Sequence, residues 1–174
     1  MFKDFDIRPF KKKKPPVDSG YTTRTEINEL KKIPLKKDFV KKYDDIESAF
    51  KKTAEEQGIK DYDKNIAKKL IKSSAPVIMK LKKHHNRPRP YELDKKLSAF
   101  VMKSMQTPSY PSGHSVQGIL IGSALKMKYG KSAFMQTAKN ISYSRRVAHA
   151  HYKSDSKMGE ELGNSMFKHI KNKI

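Results

Sequence analysis

SGHSVQGILIGSALKMKYG, Ser112 to Gly130, is the stretch that decides the fold class. Val116, Leu120, Ala124 and Met127 recur at the three- and four-residue steps that stack side chains on one face of an α-helix. Ser112 stands where an N-cap would accept a backbone N–H, and Tyr129-Gly130 ends the element. The same period returns on both sides. Downstream, residues 131 to about 150 and 155 to 171 give two more amphipathic helices, the second marked by Met158, Leu162, Met166 and Ile170. Upstream, Thr23 and Glu26 of "TRTE" offer a capping box. Asp44 or Asp45 caps a helix bearing Ile46, Phe50 and Ala54, which Gly58 stops. From about Asp61 a longer helix carries Ile66, Leu70, Val77 and Leu81, kinked or restarted at Pro76. Leu97 to Met105 reads as a short helix. No stretch alternates with period two and no internal repeat is visible, so the sequence predicts an all-α fold.

At 174 residues the chain has the length of one domain. Residues 1–20, with the lysine run Lys11 to Lys14 and the pair Pro15-Pro16, read as a flexible basic arm outside the core, and residues 21–174 as the helical domain. Phe2, Phe5 and Phe10 of the arm could grip an anionic membrane or single-stranded nucleic acid, or tuck onto the domain. Lys and Arg number 39 against 18 acids, a net charge of +21 that predicts an anionic partner without choosing among nucleic acid, membrane surface and phosphorylated substrate. The absence of cysteine excludes disulfides, thiolate catalysis and Cys-based zinc sites. The N-terminal residues lack the apolar core of a secretion signal, and the most apolar window, "GILIGSAL", is too short to cross a bilayer. A soluble, cytoplasmic protein with no transmembrane segment is the expectation.

Three clusters concentrate chemistry-bearing side chains. "KKHHNRPRP", Lys82 to Pro90, falls where the prolines must end the long helix; cations there also suit the helix dipole. "PSYPSGHS", Pro108 to Ser115, runs from a turn into a helix, where free N–H groups make an anion site and Gly113 allows close backbone approach. Its His114 lies in a first turn, disfavoured by the dipole unless neutral or employed. "SRRVAHAHYKSD", Ser144 to Asp155, places Ser144, His151 and Asp155 seven and four residues apart, on one face if the helix continues that far. An Asp four residues from a His accepts one ring N–H and leaves the other nitrogen free as nucleophile or base. His149 is out of step with Asp155 and reads as packing or surface.

Together the clusters form Lys-x6-Arg-Pro (Lys82, Arg89, Pro90), Pro-Ser-Gly-His (Pro111 to His114) and Ser-Arg-x5-His-x3-Asp (Ser144, Arg145, His151, Asp155). This ordered set resembles the tripartite signature of the type 2 phosphatidic acid phosphatase superfamily, which includes bacterial class A non-specific acid phosphatases and vanadium haloperoxidases. The resemblance covers roughly residues 60 to 160 and is closest to the acid phosphatases. It departs in a slightly short interval of 29 residues between His114 and Ser144, in Tyr91 where Phe is frequent, and in the lack of a secretion signal. "KYGKSA" around Gly130 accounts for the interval as a shortened turn.

The resemblance implies a single-domain helical bundle of the acid phosphatase and vanadium haloperoxidase type. It implies hydrolysis of phosphate monoesters with His151 as nucleophile, Asp155 orienting its ring, and His114 as general acid and base. Lys82, Arg89, Arg145, Ser112 and the amides of Gly113 and His114 would cradle the phosphate, without metal or cofactor, and vanadate would inhibit as a phosphate mimic. The partner expected is a phosphorylated small molecule, with peripheral contact to membrane or nucleic acid through the basic arm. Two alternatives stay open: vanadate-dependent halide oxidation on the same anion cradle, and a basic nucleic-acid-binding protein, for which no recognisable motif is present.

Overall fold

The computed structural model describes residues 1–173, an assembly of nine α-helices and one 3-10 turn with no strand among the described residues. At its centre stands α7 (Gly113–Tyr129), the helix read first in the sequence. It is apolar almost all round: Ile119, Ile121 and Leu125 are as buried as Val116 and Leu120. A helix apolar on every side belongs in a core rather than on a surface. Met127, expected on the core face, is 46% exposed because the enclosure ends at the last turn.

Around α7 pack α8 (Ala133–Val147) and α9 (Lys153–Ile170) most closely, then α5 (Lys64–His85) and α4 (Ile46–Glu56). α3 (Lys37–Asp44) lies on α8, and α1 (Arg8–Lys12) on α5. Two smaller elements complete the order, α2 (Tyr21–Lys31) before α3 and α6 (Pro90–Leu93) after α5. Met158, Leu162, Met166 and Ile170 of α9 are all buried, as their spacing predicts. Only residues 130–132 separate α7 from α8, with Gly130 left-handed at φ 68°.

The approach of α9 to α7 has its cause in two glycines one turn apart. A Cβ on Gly159 would stand 2.7 Å from the carbonyl oxygen of Ser112, and one on Gly163 2.6 Å from that of Val116. Neither distance is tolerated by a real side chain, so only glycine lets these backbones meet. The contact clamps the start of α7 to the start of α9, and the Ser112 N–H donates to the Asp155 carbonyl at 3.1 Å.

α5 runs through Pro76 as one helix, neither ended nor restarted there. Side chains serve carbonyls of the preceding turn: Ser73 donates to Leu70 O at 3.3 Å, and Ser74 and Gln117 donate to Ile71 O at 3.1 and 3.3 Å. The helix closes on Asn86, left-handed at φ 45°, just before the prolines.

Three expectations are corrected. Thr23 and Glu26 form no capping box, because α2 starts at Tyr21 on Gly20; Thr23 Oγ1 donates instead to Val17 O at 2.7 Å. Leu97 to Met105 is not a helix, and only Lys103–Met105 makes a 3-10 turn. The Phe100 N–H that helix formation would need is given to Ala148 O at 3.0 Å. Residues 1–20 are not outside the core, since Phe2 and Phe10 are buried in it and Phe5 stacks on Phe10 with ring centroids 6.0 Å apart. No described helix is long and apolar enough to cross a membrane.

Candidate active site

The end of α5, the start of α7, the end of α8 and the loop into α9 converge on a small pocket of about 40 Å3, far below the volume of sites that enclose a drug-sized ligand. Lys82, Arg89, Gly113, His114, Arg145 and His151 line it, joined by Ser104, Met105 and Ala150. Six of the eight residues singled out in the sequence therefore share one wall. Of the other two, Asp155 lies directly behind His151. Ser112 does not reach the pocket: its hydroxyl caps α7, accepting from the Ser115 N–H at 3.3 Å and the Ser115 hydroxyl at 2.9 Å.

The face shared by His151 and Asp155 is not that of one continuous helix. α8 ends at Val147, His149 takes a left-handed φ of 55°, and α9 restarts at Lys153. His151 thus sits on a tight connection, and Asp155 in the first turn of the next helix reaches back to it. His149, as expected, is a packing residue: its ring nitrogens bond the carbonyls of Ser98 at 2.6 Å and Ile33 at 2.7 Å, fixing the connection on both sides.

The hydrogen bonds of His151 define its protonation. Nδ1 stands 3.0 Å from Asp155 Oδ2, and Nε2 2.9 Å from Arg89 Nη1. Guanidinium nitrogens only donate, so Nε2 carries a lone pair and Nδ1 carries the proton. Burial pushes His151 well below the usual histidine range, and Arg89, Lys82, Arg145 and His114 push it the same way. The ring is a neutral base whose unprotonated nitrogen lines the pocket and accepts from Arg89.

Asp155 is fully buried yet amply served. Oδ2 also accepts from the Tyr152 N–H at 3.0 Å and from the Ser109 hydroxyl, and Oδ1 accepts from Arg87 Nη1 at 2.7 Å. Burial raises the carboxyl above its ordinary value, while Arg87 and these donors pull it back.

Three cations surround the pocket, Lys82 and Arg89 held by backbone carbonyls and Arg145 chiefly by side chains. Lys82 Nζ donates to Pro108 O. Arg89 donates to Thr107 O and Ala150 O, both at 3.0 Å. Arg145 donates to Asp44 Oδ1 at 2.8 Å and to Ser144 Oγ at 3.0 Å. Lys82 shows what this concentration costs: burial first, then Arg89, lowers its ammonium to about 7. An anion between these groups would reverse that pressure.

His114 completes the wall. Its Nε2 donates to the backbone carbonyl of Asp44 at 2.9 Å and lies 3.5 Å from Asp44 Oδ1. Burial lowers its pKa, with Asp44 opposing. Asp44 is held at about 2, chiefly by the bond to His114 and then by Arg145. Sequence reasoning named Asp44 only as one of two possible caps; Asp45 takes the cap of α4 and frees its neighbour for the site. Arg87 and Ser109 behind Asp155 were missed. Only the repeated Arg-Pro of residues 87–90 hinted at the first, and nothing local marked the second.

No protein-family model matches the chain, and a search of curated proteins finds no match either.

Proposed function

We propose that the protein is a metal-independent phosphatase that hydrolyses phosphate monoesters through a phosphohistidine intermediate, a member of the type 2 phosphatidic acid phosphatase superfamily that its three motifs resemble. One observation carries the reading. A neutral histidine, oriented through Nδ1 by a buried carboxylate, presents an unprotonated Nε2, which accepts from Arg89, to a pocket walled by two arginines, a lysine and a second histidine. Phosphoryl transfer asks for this arrangement, because charge spreads over three equatorial oxygens while the attacking and leaving atoms lie in line. Lys82, Arg89 and Arg145 supply the counter-charge, and the arginine forks suit pairs of phosphate oxygens.

In the first step the Arg89 N–H that rests on Nε2 passes to a phosphate oxygen, freeing the lone pair. Nε2 forms a bond to phosphorus as the bond to the leaving oxygen breaks, and His114 protonates that oxygen. The positive charge developing on the His151 ring is met by Asp155 through Nδ1–H. In the second step water attacks phosphorus, His114 takes its proton, and the phosphorus–nitrogen bond breaks to return a neutral His151. Since His114 Nε2–H is committed to the Asp44 carbonyl, Nδ1 is the atom that exchanges the proton.

The test is turnover of a chromogenic phosphate monoester in EDTA between pH 5 and 7, with and without vanadate, comparing wild type with His151→Ala. Wild-type turnover, inhibition by vanadate and a loss of at least about 10³-fold in the variant fit a covalent histidine route. No turnover by the folded wild type sinks the proposal. Halide oxidation with vanadate and peroxide would then favour the haloperoxidase alternative. Salt-sensitive nucleic-acid binding indifferent to His151→Ala would favour the third reading.

A further inference from the structure

Behind the pocket wall lies a buried ion network that the phosphoryl-transfer steps leave unused. Arg87, with no side-chain exposure, sends Nη1 to Asp155 Oδ1 and to Ser154 Oγ, both at 2.7 Å. Its Nη2 stands 3.4 Å from both Thr23 Oγ1 and Glu26 Oε2, and the guanidinium lies 3.7 Å from the centroid of the Tyr152 ring. Glu26 is held in turn by Ser154, whose N–H donates to Oε1 at 2.6 Å and whose hydroxyl donates to Oε2 at 2.7 Å. The result is an unbroken line of charge from α2 to the ring of His151: Glu26, Arg87, Asp155, His151.

We infer that Arg87, counterbalanced by Glu26, is a positioning residue that sets the protonation of the Asp155–His151 pair. A buried ion pair is a poor way to gain stability, since desolvation takes back most of the Coulomb attraction. An apolar side chain stacked on Tyr152 would join α2 to α9 as firmly. What the charge adds is control of where a proton resides. Asp155 is buried among its donors, and a carboxylate in that setting takes up a proton unless a cation opposes it. Lys82 of α5, Arg89, His114 of α7 and Arg145 of α8 face the pair from the pocket side. From behind, Arg87 is the cation that bonds Asp155, beside the uncharged Ser109 hydroxyl and Tyr152 N–H, and Glu26 is the acid that tempers it. The kinetic consequences rest on the phosphatase reading; the protonation itself does not.

The experiment is an NMR titration of the His151 ring in the full chain carrying ¹⁵N-labelled histidine, assigned with His151→Ala and run beside kcat/KM against pH. In Arg87→Gln the pair takes up its proton at a pH about 1–3 units higher than in wild type, and the acid limb of kcat/KM moves up with it. Arg87→Lys, which keeps the charge, recovers part of the displacement. Glu26→Gln removes the opposing charge and moves proton uptake to lower pH. Opposite displacements in the two Gln variants support the inference, because a merely structural network would shift both alike. An unchanged titration in folded Arg87→Gln, or displacement of both variants in one direction, overturns it. Where Arg87→Gln fails to fold, Glu26→Gln carries the test alone, with a downward displacement in support and any other result against. A wild type without turnover removes the phosphatase reading and leaves the ring titration to decide this one.

Discussion

Asp44 couples the two sides of the pocket, because one carboxylate bonds Arg145 and approaches His114. Its charge favours the protonated form of His114 against the burial that opposes it. Asp44→Asn should therefore lower the His114 pKa and shift the alkaline limb of kcat/KM to lower pH, measured as a pH profile on one ester. That limb has a second source in Lys82, already lowered to about 7, so in the wild type kcat/KM is expected to fall as pH rises, first as His114 loses its proton below the ordinary histidine value and again near pH 7 as Lys82 does. At this scale the sequence was informative where spacing is short. The motifs located Lys82, Arg89, His114, Arg145 and His151, each anchored to a helix end that local signals reveal. Asp44 was not legible in its role, since it meets His114 across 70 positions and only the docking of α3 against α8 brings them together.

The break between α8 and α9 is the element on which the site turns, and it shows why helical period misled over that interval. Ala148 to Tyr152 contains neither Gly nor Pro, so nothing local announces a left-handed residue at His149. The turn closes α8 with a local pair of bonds, the Ala150 N–H on Arg145 O and the His149 N–H on Arg146 O, both at 2.9 Å, and is held in place by the tertiary bonds of the His149 ring to two carbonyls. The outcome survived the wrong route, because a residue in the first turn of a helix can face back to the loop before it much as one turn of helix would. The α7–α9 seam was equally silent, since a glycine reads as a gap in an apolar stripe rather than as its tightest contact. Gly159→Ala presses a methyl group into Ser112 O and Ser115 Cβ, both 2.7 Å from the ideal position. It is expected to lower stability by about 1–3 kcal/mol in denaturant titration and, by separating Ser112 from Asp155, to lower activity under conditions where the protein stays folded.

Across the whole molecule, the proton balance makes acid the vulnerable direction. His151, His114 and His85 are all held below the ordinary histidine value by burial. The unfolded chain therefore binds protons near pH 6.5 that the folded chain refuses, and stability falls as pH drops through that point. Lys82 acts in the same sense between about 7 and its unfolded value of 10.5. Asp155, raised by burial, works the other way between its ordinary value of 3.8 and its folded value above that. The thermal midpoint is expected to be lower at pH 5 than at pH 7.5, with His151→Ala narrowing the gap and inorganic phosphate raising the midpoint by binding the folded state. The all-α class and the central place of α7 were legible because apolar period is strong over long helices. The docking of Phe2 and Phe10 was legible as one of two outcomes, but their place within the core was not, because isolated aromatics in a lysine-rich segment carry no period. A pocket of about 40 Å3 walled by three braced cations has room for a phosphoryl-sized group and little beside it. On the phosphatase reading such an enzyme inspects the phosphate and ignores the remainder of the ester. Its preference among substrates then becomes a matter of how willingly each alcohol departs, and a series of aryl and alkyl phosphates should fall on one line when rate is plotted against the acidity of the alcohol.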